Sequence, residues 1–258
     1  MNRVQAVFAK KVFIPFVTAG DPNLDVTERL IVAMAEAGAD LIEIGIPFSD
    51  PVAEGIVIQE ADMRALAAGT TTDKIFEMVK RVRTKTDVPL AFMTYINPVF
   101  VYGTDRFVKK AVEIGVDALI VPDMPFEERE ELLPACRAHG MTLIYLVAPT
   151  SSERVQAIAR ETEGFVYCVS SLGVTGVRSE ITTDVGGMVK MVKQAKDVPC
   201  AVGFGISTPE QARRMAAVAD GVIVGSAIVK LVAKYGADCV EPVSRYVAEM
   251  KAAVTEAQ

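Results

Sequence analysis

The strongest constraint on the fold is an alternation that runs the length of the chain. Short apolar runs occupy residues 12–17, 41–46, 90–95, 118–121, 143–147, 165–169, 200–204 and 222–224. Amphipathic stretches lie between them, at 25–37, 73–83, 105–114, 127–138, 153–161, 187–195 and 209–217. Near-continuous apolar strands, each followed by a helix, describe a parallel sheet covered on both faces. Right-handed crossovers then leave a doubly wound open sheet or a closed (β/α)8 barrel. Eight units in 258 residues favour the (β/α)8 TIM barrel, one domain over residues 1–258. The segments 2–9, 60–66 and 242–253 are left over as extra N-terminal, loop and C-terminal helical pieces.

A faint repeat accompanies the alternation. Asp87-Val-Pro precedes the third run and Asp197-Val-Pro the seventh, while Asp117 and Asp220 open the fourth and eighth. This suggests a half-barrel echo, the plainer alternative being that helix-to-strand turns favour Asp. No linker rich in Pro, Gly or Ser divides the chain.

Composition excludes several classes of function. With 27 basic and 33 acidic residues the net charge is −6, and no basic tail is present to hold nucleic acid. No apolar run nears the ~20 residues of a membrane span. The N-terminal residues lack the apolar core of a signal peptide. Cys136, Cys168, Cys200 and Cys239 form no C-x-x-C pair, so they read as buried fillers in a reducing cytoplasm. The one histidine, His139, follows a helix on the face opposite the expected chemistry, so a multi-histidine metal site is excluded and no metal is expected.

In such a barrel the chemistry lies where strands end and βα loops begin. No lysine stands on any of the apolar runs or just beyond them, which disfavours a Schiff-base aldolase. Carboxylates remain. In Leu41-Ile-Glu-Ile-Gly-Ile46 the pleat sets Leu41, Glu43 and Gly45 on one face and three isoleucines on the other. The isoleucines suit the helix-packed outside, so Glu43 is expected to point into the barrel with Gly45 leaving space above it. Burial there would raise its pKa toward the range useful for general acid–base work.

Two adjacent turns carry a second signal. Gly203-Phe-Gly-Ile-Ser207 and Val224-Gly-Ser-Ala227 each end a strand and open a helix. Glycine lets an anion approach backbone N–H groups, and helix N-termini favour negative charge. With Gly173-Val-Thr-Gly176 after the sixth run, they read as a phosphate cradle. Residues 48–58, lacking a helical period, read as a long functional loop.

These residues resemble the tryptophan synthase alpha chain family. The resemblance is carried by Phe16-Val-Thr-Ala-Gly-Asp-Pro22, Glu43-Ile-Gly-Ile-Pro-Phe-Ser-Asp-Pro51, Tyr95-Ile-Asn97, Pro122-Asp123-Met-Pro125, Tyr167 and the three glycine turns, the last extending to Lys230. They occur in order along nearly the whole chain. The resemblance implies a lyase that cleaves indole-3-glycerol phosphate to indole and glyceraldehyde 3-phosphate. It implies an α2β2 assembly with a beta chain that carries pyridoxal phosphate and receives the indole, with no cofactor in this chain. By resemblance Glu43 is the acid–base residue and Glu54 the carboxylate that meets the indole N–H. Phe16, Tyr95, Tyr167 and Phe204 match the indole pocket, Gly176, Gly205, Gly225 and Ser226 the phosphate cradle, and Thr175 the mobile loop.

One stretch departs from the family, which reads Ala-Asp-Gly-Pro where this chain has Ala53-Glu-Gly-Ile56. Glu54 is one methylene longer than the family's Asp, and Ile56 lacks proline's fixed φ. These changes lead to the expectation of a mobile loop and of activity that depends strongly on the partner. They also keep open an alternative: a regulatory subunit that activates the beta chain but has weak lyase activity. A sugar-phosphate isomerase is disfavoured by the missing strand-end Lys and His.

Overall fold

The computed structural model describes residues 2–169 and 184–257. The apolar runs form β1 (Val12–Thr18), β2 (Ile42–Gly45), β3 (Leu90–Met93), β4 (Ala118–Ile120), β5 (Thr142–Val147), β6 (Val166–Val169), β7 (Cys200–Gly203) and β8 (Gly221–Val224). They pair in parallel and in sequence order, and β1 closes the ring against β8. The alternation therefore gives a (β/α)8 barrel and not an open sheet.

The helices are α1 (Arg3–Ala6), α2 (Leu24–Glu36), α3 (Ile56–Ala67), α4 (Thr72–Arg83), α5 (Ile96–Tyr102), α6 (Thr104–Glu113), α7 (Leu133–His139), α8 (Ser152–Glu161), α9 (Val185–Ala195), α10 (Pro209–Ala216), α11 (Ser226–Tyr235) and α12 (Val240–Thr255). Two boundaries differ from expectation. The stretch 127–138 is broken: a 3-10 turn over Phe126–Glu131 is followed by α7, with Pro134 early in that helix. A proline is tolerated only where its missing N–H would be unpaired, so the helix restarts just before it. The loop expected over 48–58 is shorter, because α3 already begins at Ile56.

The pleat sorts the side chains as period two requires. Ile14, Leu41, Ala91, Ile120, Ile144, Ala201 and Ile223 fill the barrel. Phe13, Val17, Ile42, Ile44 and Ile46 face outward and pack with helix residues such as Leu30, Ile75 and Phe76. At the strand-start end, the N-terminal segment plugs the barrel: Phe8 stacks on Phe165 at 5.3 Å, with Val4 in the same cluster.

The aspartate echo has a physical cause. Asp117 accepts the N–H of Leu90 at 3.0 Å and Asp220 that of Cys200 at 2.8 Å. Each Asp before one strand thus satisfies the first N–H of the strand before it, a donor that would otherwise be orphaned. Asp40 likewise accepts the N–H of Phe13, the second residue of β1, at 2.8 Å. The device therefore recurs outside the half-barrel spacing, which supports the plainer explanation. Basic residues pair with these carboxylates: Lys10 and Lys251 with Asp40, Arg3 and Arg83 with Asp117, Lys193 with Asp220. His139 ends α7 and pairs with Asp105 at 2.7 Å, far in the fold from the strand ends.

Candidate active site

Strand β2 places Glu43 between Phe16 of β1 and Ala91 of β3, pointing inward. It is 1 % exposed. Among the described residues neither carboxylate oxygen has a hydrogen-bond partner. A buried charge without a partner is costly, so the acid holds its proton. Desolvation alone lifts the pKa from 4.5 to about 8. The space above it is not empty, as the sequence suggested. A Cβ on Gly45 would lie 2.5 Å from Cζ of Phe16, so the glycine makes room for that ring.

Aromatic walls surround the acid. Tyr167 is buried on β6, and Phe204 meets it edge-on with ring centroids 6.2 Å apart. Burial, with the nearby Glu43, pushes the Tyr167 phenol well above its ordinary pKa, so it stays neutral. Gly203 admits this ring too, since a Cβ there would meet Tyr167 Oη at 2.5 Å. Phe204 has φ 79, a left-handed conformation rare for a bulky residue. Such backbone strain gathers at functional sites.

Glu54 lines the same cavity, just before α3. It is half-buried, and its side chain is hydrogen-bonded to those of Asp62 and Tyr95. Tyr95 Oη accepts the N–H of Ala53 at 3.0 Å, leaving its own proton to donate. Desolvation raises the pKa of both Glu54 and Asp62, and for Asp62 the charge of Glu54 adds to it. The two share a proton near neutrality.

The two glycine turns differ. Helix α10 caps itself: the Thr208 side chain accepts from the Gln211 N–H, and the Gln211 side chain accepts from the N–H groups of Ser207 and Thr208. Helix α11 starts after Gly225 with no side-chain cap among the described residues. Its first N–H groups have no intrahelical acceptor. An anion at the mouth is therefore served by α11 and by the Gly205 turn, where φ is 79, more than by the start of α10.

Phe16, Glu43, Glu54, Tyr167, Phe204, Gly205, Gly225 and Ser226 line one cavity at the strand ends. Tyr95 does not; it stands behind Glu54 and packs on Phe48 at 5.4 Å. Thr175 and Gly176 lie outside the described residues. The sequence reading missed the apolar wall of Met93, Leu146 and Ile223. Its signal was available, since Met93 follows inward Ala91 by two residues and Leu146 follows inward Ile144. It also missed Asp62, a carboxylate on the buried stripe of Ile58, Ala61 and Ala65. No group of three or more potential metal ligands occurs among the described residues.

Comparison with known proteins gives one consistent result. Residues 5–256 match a family model described as tryptophan synthase alpha chain. The tryptophan synthase alpha chain of Lacticaseibacillus casei is 47% identical over 255 residues, covering 98% of this chain and 96% of that one. The crystal structure of the alpha chain from Legionella pneumophila superposes with a TM-score of 0.89 at 37% identity, covering 98% and 97% of the two chains. A chain of the tryptophan synthase α2β2 complex of Pyrococcus furiosus superposes with a TM-score of 0.86 at 37% identity, covering 93% and 98%.

Proposed function

The chain belongs to the tryptophan synthase alpha chain family, and on that premise we propose how its barrel mouth performs the reaction. The protein is a carbon–carbon lyase of tryptophan biosynthesis that cleaves indole-3-glycerol phosphate to indole and glyceraldehyde 3-phosphate. It works with a beta chain, to which the indole passes.

The observation that carries the mechanism is a buried, unpartnered Glu43 facing the same cavity as a held carboxylate at Glu54. Glu43 enters the cycle protonated at neutral pH and gives its proton to C3 of the indole ring. The ring becomes an indolenine cation, and Glu54 accepts a hydrogen bond from its N–H and offsets the charge. Glu43, now a carboxylate, takes the proton of the adjacent glycerol hydroxyl. The C–C bond then breaks, its electrons return to the ring, and an aldehyde leaves. Phe16, Tyr167 and Phe204 hold the indole and keep water out. The open start of α11, with Gly205, Gly225 and Ser226, receives the phosphate, and Gly176 and Thr175 are assigned to the same region on the family resemblance alone.

No step of this scheme calls on a cofactor in this chain; pyridoxal phosphate belongs to the beta chain. No helix among the described residues is long and apolar enough to cross a membrane. The four buried free thiols fit a reducing compartment, and we assign the enzyme to the cytoplasm. A regulatory subunit with weak lyase activity is not favoured: the chain belongs to the alpha chain family, and the cavity shared by Glu43 and Glu54 supports the lyase reading. Indole release from indole-3-glycerol phosphate, with and without a beta chain, tests the assignment. Release by the chain alone, accelerated by the partner, is expected; activation of a beta chain without any release would support the regulatory alternative.

A further inference from the structure

The extra methylene of Glu54 leaves a longer side chain to be fixed at the cavity edge. A carboxylate misplaced by about 1 Å can lose about 10²-fold in rate, so what fixes it matters. Two side chains meet it. Tyr95, held by the Ala53 N–H, donates its phenol proton. Asp62, nearly two turns into α3 and 4% exposed, is hydrogen-bonded to it as well. Two carboxyl groups in a hydrogen bond need a proton between them.

The surroundings decide which group keeps that proton. Asp62 has a weak N–H donor in Phe48 at 3.5 Å, and its charged neighbours are the acids Glu54 and Asp21. The cation nearest in sequence, Arg64, is committed to Asp21 through two bonds of 2.8 Å. Glu54, by contrast, accepts from the Tyr95 phenol. Its Oε2 has no partner among the described residues, and Glu54 shares its cavity with the unpartnered acid Glu43.

We propose that Asp62 is a positioning residue for the lyase reaction: it keeps the proton of a buried carboxyl pair and donates it to Glu54. Glu54 is thereby oriented at the cavity edge as the member of the pair that ionises, with acceptor capacity left for the indole N–H. Neutral Asp62 does what a shorter carboxylate would not need, and this offsets the added methylene. The proposal rests on the reading that Glu54 meets the indole nitrogen.

The test measures binding of indole-3-propanol phosphate and of its N-methyl counterpart, which lacks the N–H, to the full-length chain at neutral pH. The parent is expected to prefer the N–H ligand by about tenfold or more, the range of a hydrogen bond to a charged group. Asp62→Ala should reduce that preference to below about twofold, while Asp62→Asn, which still donates, should keep it. The ratio of the two affinities does not depend on the folded fraction, and Asp62→Leu keeps the branched outline without a donor should the alanine variant fail to fold. A parent that prefers neither ligand overturns the reading of Glu54 and the proposal with it. A parent that discriminates, with an alanine or leucine variant that discriminates equally, overturns the role of Asp62 alone. Loss of preference in Asp62→Asn overturns the claim that donation is what matters.

Discussion

Glu43 and Glu54 face one cavity but are held in opposite ways. Glu43 sits on a strand, fully enclosed, with no hydrogen-bond partner among the described residues. Glu54 sits at a loop end, half-buried, between a phenol and a second acid. Isolation makes the first a proton store, because its charge has nothing to stabilise it. Burial raises the second as well, to about 7, but its two hydrogen bonds favour the charged form and make it the member of its carboxyl pair that ionises first. The same side chain thus serves two roles, set by environment.

The largest expected effect comes from breaking the isolated member. Glu43→Gln keeps the shape and cannot carry a proton, so indole release should fall by about 10²–10⁴-fold. The same change should raise stability. In the native chain Glu43 holds its proton up to about pH 8, whereas its unfolded value is 4.5. Its contribution to stability is therefore full below pH 4.5 and declines as pH rises to about 8. At pH 7 the deficit reaches up to about 3 kcal/mol, and glutamine removes it. Thermal melting beside a single-turnover assay checks both signs; a variant that loses activity and stability together would point to a structural role.

Second in size is the pH dependence. Turnover by the parent should hold through neutrality and decline above about pH 8 as Glu43 loses its proton. On the acid side the rate should also decline below about pH 7, as Glu54, raised by burial to about 7, takes up a proton. A rate that keeps rising above pH 8 would show that Glu43 is not the proton donor.

Gly225→Val tests the phosphate end. If Gly225 served the phosphate cradle alone, the change would weaken phosphorylated ligands only. In the structure a Cβ at Gly225 comes within 3.3 Å of Phe16 Cδ1. A valine should therefore raise the KM for substrate by about tenfold and weaken an indole analogue as well, through the displaced ring. An unchanged indole affinity would show that Phe16 moves freely.

These cases show what could be read before the structure was known. The barrel was legible because strand and helix periods leave separate marks, and inward Glu43 was legible because Ile42, Ile44 and Ile46 left it only one face. The roles of glycines were less so: Gly45, Gly203 and Gly225 all make room for aromatic rings from neighbouring strands, and such contacts are not local in sequence. Asp62 was overlooked because its partner Glu54 lies outside its helix. The self-capping of α10 through Gln211 was legible in principle, from Thr208 followed three residues later by Gln.

The smallest effect concerns the loop. Ile56 is 65% exposed and opens α3, a position where proline is well tolerated. Ile56→Pro should stabilise the chain by about 0.4–1 kcal/mol, chiefly through the unfolded state. Melting curves showing destabilisation would mean that the Ile56 side chain or N–H is used.

The central claim, that solitary Glu43 stores the proton while Glu54 carries the charge, is open to direct spectroscopy. Infrared difference spectra between the parent and Glu43→Gln, taken across pH, report the carbonyl band of one protonated carboxyl group. The account predicts that this band is present at pH 7 and disappears with a midpoint near pH 8. A band already lost by about pH 5, where an ordinary glutamate is ionised, would contradict it.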